Sequence, residues 1–286
     1  MDQNLIQQII NDRKIRAAVA SKSHYWFFNI YFSHYVKYPT APFQREIFAL
    51  TEQENIRNVI MVAFRGSAKS TIMTLSYPIW AILGQQEKKF IVILGQTQSK
   101  AKQYLLNIKR ELESNELLRN DLGPFQEVDE WGSLSLVIPK YGAKISTASI
   151  DQSIRGLRHG PDRPDLIICD DVEDLISVKT REGRDKIYNW LTGDVIPAGD
   201  NNTRLIVIGN LLHEDSLLMR LKQNIEEKLF DGIFRSYPLI ADDDQILWPG
   251  KFKSKADIEN AKRQLGNEIA WQREFLLRII PDTDQE

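Results

Sequence analysis

The stretch Val59-Ile60-Met61-Val62-Ala63-Phe64-Arg65-Gly66-Ser67-Ala68-Lys69-Ser70-Thr71 decides how this 286-residue chain is read. It opens as a continuous apolar, β-favouring run, breaks at Arg65-Gly66-Ser67, sets a lysine before two hydroxyls, and continues through Ile72, Met73 and Leu75 at helical spacing. That order predicts a buried strand, a phosphate-sized loop and a helix N-terminus. In such a loop the backbone N–H groups surround a β-phosphate, Lys69 reaches the β and γ oxygens, and the Ser70 hydroxyl can ligate Mg²⁺. The strict pattern, G-x-x-x-x-G-K followed by Ser or Thr, has glycine where this chain has Ala63 and Ala68. Alanine approaches a phosphate nearly as closely as glycine, so the reading requires negative φ at both positions. An ordinary strand-to-helix connection explains the same stretch, and the stretch alone does not choose between the two.

A second strand end chooses. Nucleotide hydrolysis needs a carboxylate for the Mg²⁺ shell and a group to orient the attacking water, both beside the loop that holds the phosphates. Leu166-Ile167-Ile168-Cys169 is a short apolar run that emerges into Asp170-Asp171-Val172-Glu173-Asp174. Asp170 and Asp171, where the strand emerges, supply the metal carboxylate at the sheet edge where ligands bind in such folds. Asp171 or Glu173 supplies the water-orienting group, and the spacing leaves that choice open. The bland alternative is an acidic helix start complementing the helix dipole. Four acids so close together also admit a two-metal nuclease centre built from Asp170, Asp171, Glu173 and Asp174.

Other features take their meaning from this pairing. Arg204-Leu205-Ile206-Val207-Ile208 is a third apolar run, and Gly209-Asn210 at its end places a polar side chain where it can sense a γ-phosphate. Arg65 lies within the loop, while Arg155 and Arg158 precede the acidic strand; an arginine brought to the γ-phosphate stabilises transferred charge. Gln44, after Pro42-Phe43, can read an adenine edge through its amide or simply begin a solvated helix.

The rest of the chain alternates strands with helices. Leu5, Ile6, Ile9, Ile10 and Ile15 recur at helical spacing, so one or two helices are expected to run to about Tyr38-Pro39. Phe27, Phe28, Tyr31, Phe32 and Tyr35 form a buried helix face rather than a membrane span, which the run is too short and too polar to make. Phe90 to Gly95 reads as a buried strand; Ser135 to Ile138 and Ala143 to Thr147 read as further strands. Helices are expected over Thr71–Leu83, Ser99–Leu118, Thr180–Leu191, Glu214–Lys228 and Lys255–Leu277. This is an α/β chain with a mostly parallel sheet flanked by helices.

Composition is that of an ordinary globular protein, with 42% hydrophobic and 27% charged residues. The net charge of −2, from 37 basic and 39 acidic residues, announces no nucleic-acid or membrane surface. Cys169 is the one cysteine, which rules out an intrachain disulfide and fits a reducing compartment. The polar start Met1-Asp2-Gln3-Asn4 lacks the basic-then-apolar order of a signal peptide.

Together, Ala63-Phe64-Arg65-Gly66-Ser67-Ala68-Lys69-Ser70, the strand ending Asp170-Asp171-Val172-Glu173, and Leu205 to Asp215 resemble the large subunit of tailed-bacteriophage terminases. Pro42-Phe43-Gln44, Arg155-Gly156, Leu247-Trp248-Pro249 and Leu265-Gly266 extend the resemblance over most of residues 40 to 280. It implies a P-loop ATPase of the additional-strand class, with a small helical lid subdomain, binding ATP and Mg²⁺. Residues 1–58 would form the helical lid region and adenine motif, 59–245 the ATPase core, and 246–286 a C-terminal helical segment. The implied nucleotide contacts are Gln44, Ala63, Arg65, Gly66, Ser67, Ala68, Lys69, Ser70, Thr71 and Asn210, with Ser70 and Asp170 on the metal. Asp171 aligns with the usual catalytic glutamate; Glu173 is favoured for water activation on its longer reach, Arg155 resembles a trans-acting finger, and Arg65 is the in-loop candidate. The resemblance implies translocation of double-stranded DNA into procapsids in the host cytoplasm, with a portal protein and a small terminase subunit as partners. It also implies a homo-oligomeric ring when docked, possible monomers in isolation, and a motor domain without its nuclease. A helicase-like motor and a non-hydrolysing nucleotide-binding module are the competing readings.

Overall fold

The computed structural model describes residues 3–126 and 130–280; the last part of the expected C-terminal segment, 281–286, lies outside them. Four helices come first: α1 (Gln3–Asn11), α2 (Arg13–Lys22), α3 (His24–Tyr31) and α4 (Pro42–Glu52). Asp12 and Ser23 cap α2 and α3 by accepting from backbone N–H groups that a helix start leaves unpaired. Proline opens α4, where a missing N–H costs nothing. Phe27, Phe28, Tyr31 and Phe32 are buried as expected, with Tyr35 at the rim. On α1 only part of the expected apolar face is used: Ile9 is buried, whereas Ile6 and Ile10 are exposed. The Leu5 side chain lies outside the described residues.

The core then runs β1 (Asn58–Ala63), a π-helical turn (Thr71–Ser76) leading into α5 (Tyr77–Leu83), β2 (Phe90–Gly95), α6 (Gln98–Ser114), α7 (Glu116–Leu122), β3 (Ser135–Ile138) and β4 (Ala143–Ser149). It continues with β5 (Leu166–Asp170), α8 (Arg181–Trp190), a second π-helical turn (Leu191–Val195) into α9 (Ile196–Ala198), β6 (Arg204–Gly209), α10 (Leu217–Glu226), β7 (Ile233–Tyr237), α11 (Lys255–Leu265) and α12 (Glu268–Glu274). The sheet has seven strands in the order β3-β4-β2-β5-β6-β1-β7, and only β3 runs antiparallel to its neighbour. Strand β6 therefore lies between the loop-bearing β1 and the acid-bearing β5, which defines the additional-strand arrangement.

Both sheet faces are covered, which is why the central strands read as unbroken apolar runs. Val59, Met61 and Ala63 of β1 face a cluster that includes Phe27, Phe48, Trp80 and Trp248, while Ile60 and Val62 face Leu191, Leu217 and Leu221. Helices α2, α3 and α4 share the former cluster with the sheet.

Several expected helices are interrupted, each for a local reason. Asn115 ends α6 and caps α7 by accepting from Leu118 N–H, splitting the helix expected over Ser99–Leu118. Gly266, at φ +64°, and the capping Asn267 divide the helix expected over Lys255–Leu277 into α11 and α12. The two π-helical turns each precede a helix with proline in its first turn, Pro78 and Pro197, whose missing N–H cannot join a regular ladder. Strand β7 was not expected from the sequence. It is an edge strand with a single partner, β1, and its residues are only half covered.

Candidate nucleotide site

The register of the sheet assembles the site. Val62 of β1 pairs with Gly209 of β6, and Asp170 of β5 pairs with Ile208, so the loop, Asn210 and the acidic strand end share one edge. The loop from Phe64 to Ser70 is held at its base by Phe64 N–H to the Tyr237 carbonyl (3.0 Å) and Arg65 N–H to the Glu274 carbonyl (2.7 Å). Within it, Ser67 N–H turns back to the Phe64 carbonyl (3.1 Å). The N–H groups of Ala68, Lys69 and Ser70 donate to no acceptor among the described residues, as at any helix start. Such a row of free N–H groups is a concavity for an anion.

The backbone corrects the condition placed on the alanines. Gly66 has φ +77° and Ala68 has φ +71°, so Ala68 adopts the left-handed conformation that glycine takes without strain. A β-carbon there costs about 1–2 kcal/mol. The loop keeps the glycine shape with an alanine in it.

Lys69 is nearly buried, and its Nζ donates to Asn210 Oδ1 (2.6 Å) and to the Ala63 carbonyl (3.3 Å). Asn210 in turn donates through Nδ2 to Glu274 Oε2 (3.0 Å), on α12. Arg65 is largely exposed, with its guanidinium 4.0 Å from the same Glu274 oxygen. Gln44 is buried, and both ends of its amide are engaged: Oε1 accepts from Ala41 N–H (3.0 Å) and Nε2 donates to the Ser67 carbonyl (2.9 Å). It thereby ties the start of α4 to the loop.

At the acidic strand end Asp170 is fully buried, accepting from Thr74 Oγ1 (2.7 Å) and lying 3.4 Å from Ser70 Oγ. Burial, then the neighbouring Asp171, pushes its pKa up to about 6. A hydroxyl and a carboxylate this close, beside a phosphate loop, form the partial oxygen set that Mg²⁺ accepts when phosphate and water complete it. The residues present fit that ion. Asp171 has φ +48° and meets Lys100 Nζ at 3.3 Å. Glu173 accepts from Leu217 N–H (2.8 Å) at the start of α10, while its other oxygen, Oε2, is buried without a partner. Burial raises its pKa to about 7. Asp174 turns away to cap Ser177 N–H (2.7 Å). Among the described residues no three of His, Cys, Asp and Glu converge as a metal set, so the four acids are not gathered into a two-metal centre.

The arginines of the loop before β5 stand elsewhere. Arg155 is exposed and paired with Asp194. Arg158 lines a separate hollow with Asp165 and Asp200, at the opposite ends of β5 and β6 from the loop.

Two cavities flank the loop. One, of about 240 Å³, is lined by Arg65, Lys100, Asp171, Glu173, Asn210 and Glu274 among others. The other, of about 180 Å³, is lined by Tyr38, Gln44, Gly66, Ala68, Trp248 and Lys251 among others. Neither alone reaches the roughly 300–1,000 Å³ of ordinary ligand sites, whereas the pair does, with the loop between them. Sequence reasoning missed Thr74, Lys100, Lys251 and Glu274. Thr74 carries a signal, four residues after Ser70 on the same helix face; the other three come from distant segments that no local spacing connects.

The strand order, the loop and the acidic strand end together define a P-loop ATPase fold of the additional-strand class. Comparison with solved structures is more particular: the chain has the fold of the ATPase domain of phage large terminases. The HK97 bacteriophage large terminase matches with a TM-score of 0.57 and 16% identity, over 84% of this chain and 50% of that one. The large terminase of a thermophilic bacteriophage, crystallised with ATP-γ-S, matches with a TM-score of 0.53 and 13% identity, over 84% of this chain and 53% of its own length. A variant of the Thermus phage P74-26 large terminase ATPase domain matches with a TM-score of 0.56 and 13% identity, over 89% of this chain and 98% of that domain. The chain thus spans about half the length of the full large terminases it matches. No protein-family model and no curated protein matches the sequence.

Proposed function

We propose that this chain is the ATP-hydrolysing motor domain of a phage large terminase, driving double-stranded DNA into procapsids. The observation that carries this reading is the placement of β6 between β1 and β5, which sets Asn210 against Lys69 at 2.6 Å and opens the acidic cavity beside them. Ser70 and Asp170 would hold Mg²⁺, which would supply charge neutralisation on the phosphate chain. Lys69 leaves Asn210 for the phosphates, and the free N–H groups of the loop hold the β-phosphate. Glu173 accepts the proton of a water that attacks the γ-phosphorus in line as ADP leaves. It suits that role because one oxygen is free and its proton affinity is poised near neutrality. Asp171 is occupied by Lys100. Arg65 lines the cavity as the in-loop cation; Arg155, exposed and paired with Asp194, is the candidate for a finger acting on a neighbouring subunit's nucleotide.

On this reading residues 1–58 serve as a helical lid region, 59–245 as the motor core, and 246–286 as a C-terminal helical segment packing on the lid. Partners would be the portal protein, the small subunit and further copies in a ring, in the host cytoplasm. No described helix is long and apolar enough to cross a membrane. Phosphate release with Mg²⁺ and ATP tests the proposal: Lys69→Ala is expected to lower turnover about 100-fold or more. Absence of any Lys69-dependent turnover, with and without DNA, would sink the motor reading and leave the non-hydrolysing module as the better one.

A further inference from the structure

The C-terminal segment brings a lysine to the loop from outside it. Lys251 Nζ donates to the Gly66 carbonyl at 2.9 Å and lies over the rings of Trp248 (5.1 Å) and Phe252 (5.4 Å). The turn that carries it is fixed: Trp248 Nε1 donates to the Pro39 carbonyl (2.9 Å), Trp248 meets Tyr38 edge-on at 5.8 Å, and Lys251 N–H returns to the Trp248 carbonyl (3.1 Å). A β-carbon at position 66 would come within 3.0 Å of the ammonium, so glycine there leaves room for it as well as permitting the positive φ.

Among the described residues no carboxylate lies within ion-pair distance of Lys251. The cavity it lines carries a second lysine, Lys37, and no acid at all. Partial burial lowers the Lys251 pKa, as expected of a cation that has lost water and gained a neutral carbonyl and two aromatic faces but no anion. A neutral donor would satisfy that carbonyl equally well, so the charge itself calls for a partner. The cavity opens onto Gly66, Ala68 and Thr71, the side of the loop away from the acids.

We infer that Lys251 binds the phosphate chain of the nucleotide from the base side of the loop, so that two lysines from distant segments, Lys69 and Lys251, hold one polyanion. The inference rests on the reading of this site as an ATP site. It makes the segment after β7 part of the nucleotide site, so its position depends on whether nucleotide is present.

Equilibrium binding of ATP and ADP to the intact chain tests it, using wild type, Lys69→Ala, Lys251→Gln and Lys251→Arg. Glutamine keeps a donor for the Gly66 carbonyl and removes the charge; arginine restores the charge. The expected result is Kd raised about tenfold for both nucleotides in Lys251→Gln and within about threefold of wild type in Lys251→Arg. Wild-type affinity in Lys251→Gln, while Lys69→Ala abolishes binding, overturns the Lys251 contact and leaves the ATP site standing. Equal losses in the glutamine and arginine variants also overturn it, since shape rather than charge would be responsible. No binding by wild type would remove the site reading itself and the inference with it.

Discussion

On one side of the phosphate loop the cavity wall carries four carboxylates, Asp171, Glu173, Asp174 and Glu274, against two cations, Arg65 and Lys100. On the other side it carries two lysines, no carboxylate, and the rings of Phe28, Tyr35, Tyr38 and Trp248. The difference matches what each end of a nucleoside triphosphate would require on the proposed reading. The γ-phosphate end needs groups that hold a divalent cation and accept a proton, and burial at this edge raises the proton affinities of Asp170 and Glu173. The base end needs flat apolar surface and positive charge for the inner phosphates. The loop separates the two chemistries, so their variants should fail in different ways.

The largest expected effect lies on the acidic side. Glu173→Gln is expected to lower turnover about 10²–10⁴-fold while ADP affinity stays within about twofold of wild type. Wild-type kcat/KM is expected to rise as pH passes about 7, where Glu173 loses its proton, and the glutamine variant should lack that rise. Stability has the opposite sign. The folded pKa of about 7 lies above the ordinary 4.5, so this carboxyl's contribution is full below pH 4.5 and is lost as pH rises through 7. Denaturant melts above pH 7 should therefore find Glu173→Gln more stable than wild type, by on the order of 1–3 kcal/mol. A pH-independent difference would mean that the carboxyl is not desolvated and that the acidic side is not distinctive.

How much of this was legible depended on sequence distance. Strands β1, β2, β5 and β6 are covered on both faces, so each appears as an unbroken apolar run, and the loop and Asp170 follow directly at their ends. Strand β7 is covered only in part and pairs on one side alone, so Ile233-Phe234-Arg235-Ser236-Tyr237 lacks such a run. Lys251 and Glu274 are invisible locally because they reach the loop from 185 and 64 residues away from their partners Gly66 and Asn210. Their placement depends on how the chain after β7 returns across the sheet edge, which no periodicity encodes. The Pro-Phe-Gln signal did mark Gln44, but an amide signal cannot say whether its partner is a base or the Ser67 carbonyl.

A smaller effect is expected on the basic side. Gln44→Ala leaves the Ala41 N–H and the Ser67 carbonyl without their partner in a buried setting, which costs about 1–3 kcal/mol. Urea denaturation should show that loss, and Kd for ADP should rise severalfold because the loop is no longer tied to α4. Turnover at saturating ATP should change much less than in Glu173→Gln. A variant that binds normally but turns over as poorly as Glu173→Gln would break the separation of the two sides.

The smallest expected effect falls on the loop that divides them. At φ +71° the β-carbon of Ala68 carries a strain of about 1–2 kcal/mol, and glycine would release it. Glycine also gives the unfolded chain more freedom, which offsets about 0.5–1 kcal/mol of the gain. Ala68→Gly should therefore stabilise the protein by about 0.5–1 kcal/mol, read as a higher urea midpoint at unchanged slope. Destabilisation of that size would instead place Ala68 in ordinary right-handed backbone. The loop would then be an alanine-built departure from the glycine shape, and the N–H groups from Ala68 to Ser70 could no longer be presented from one anion-binding turn.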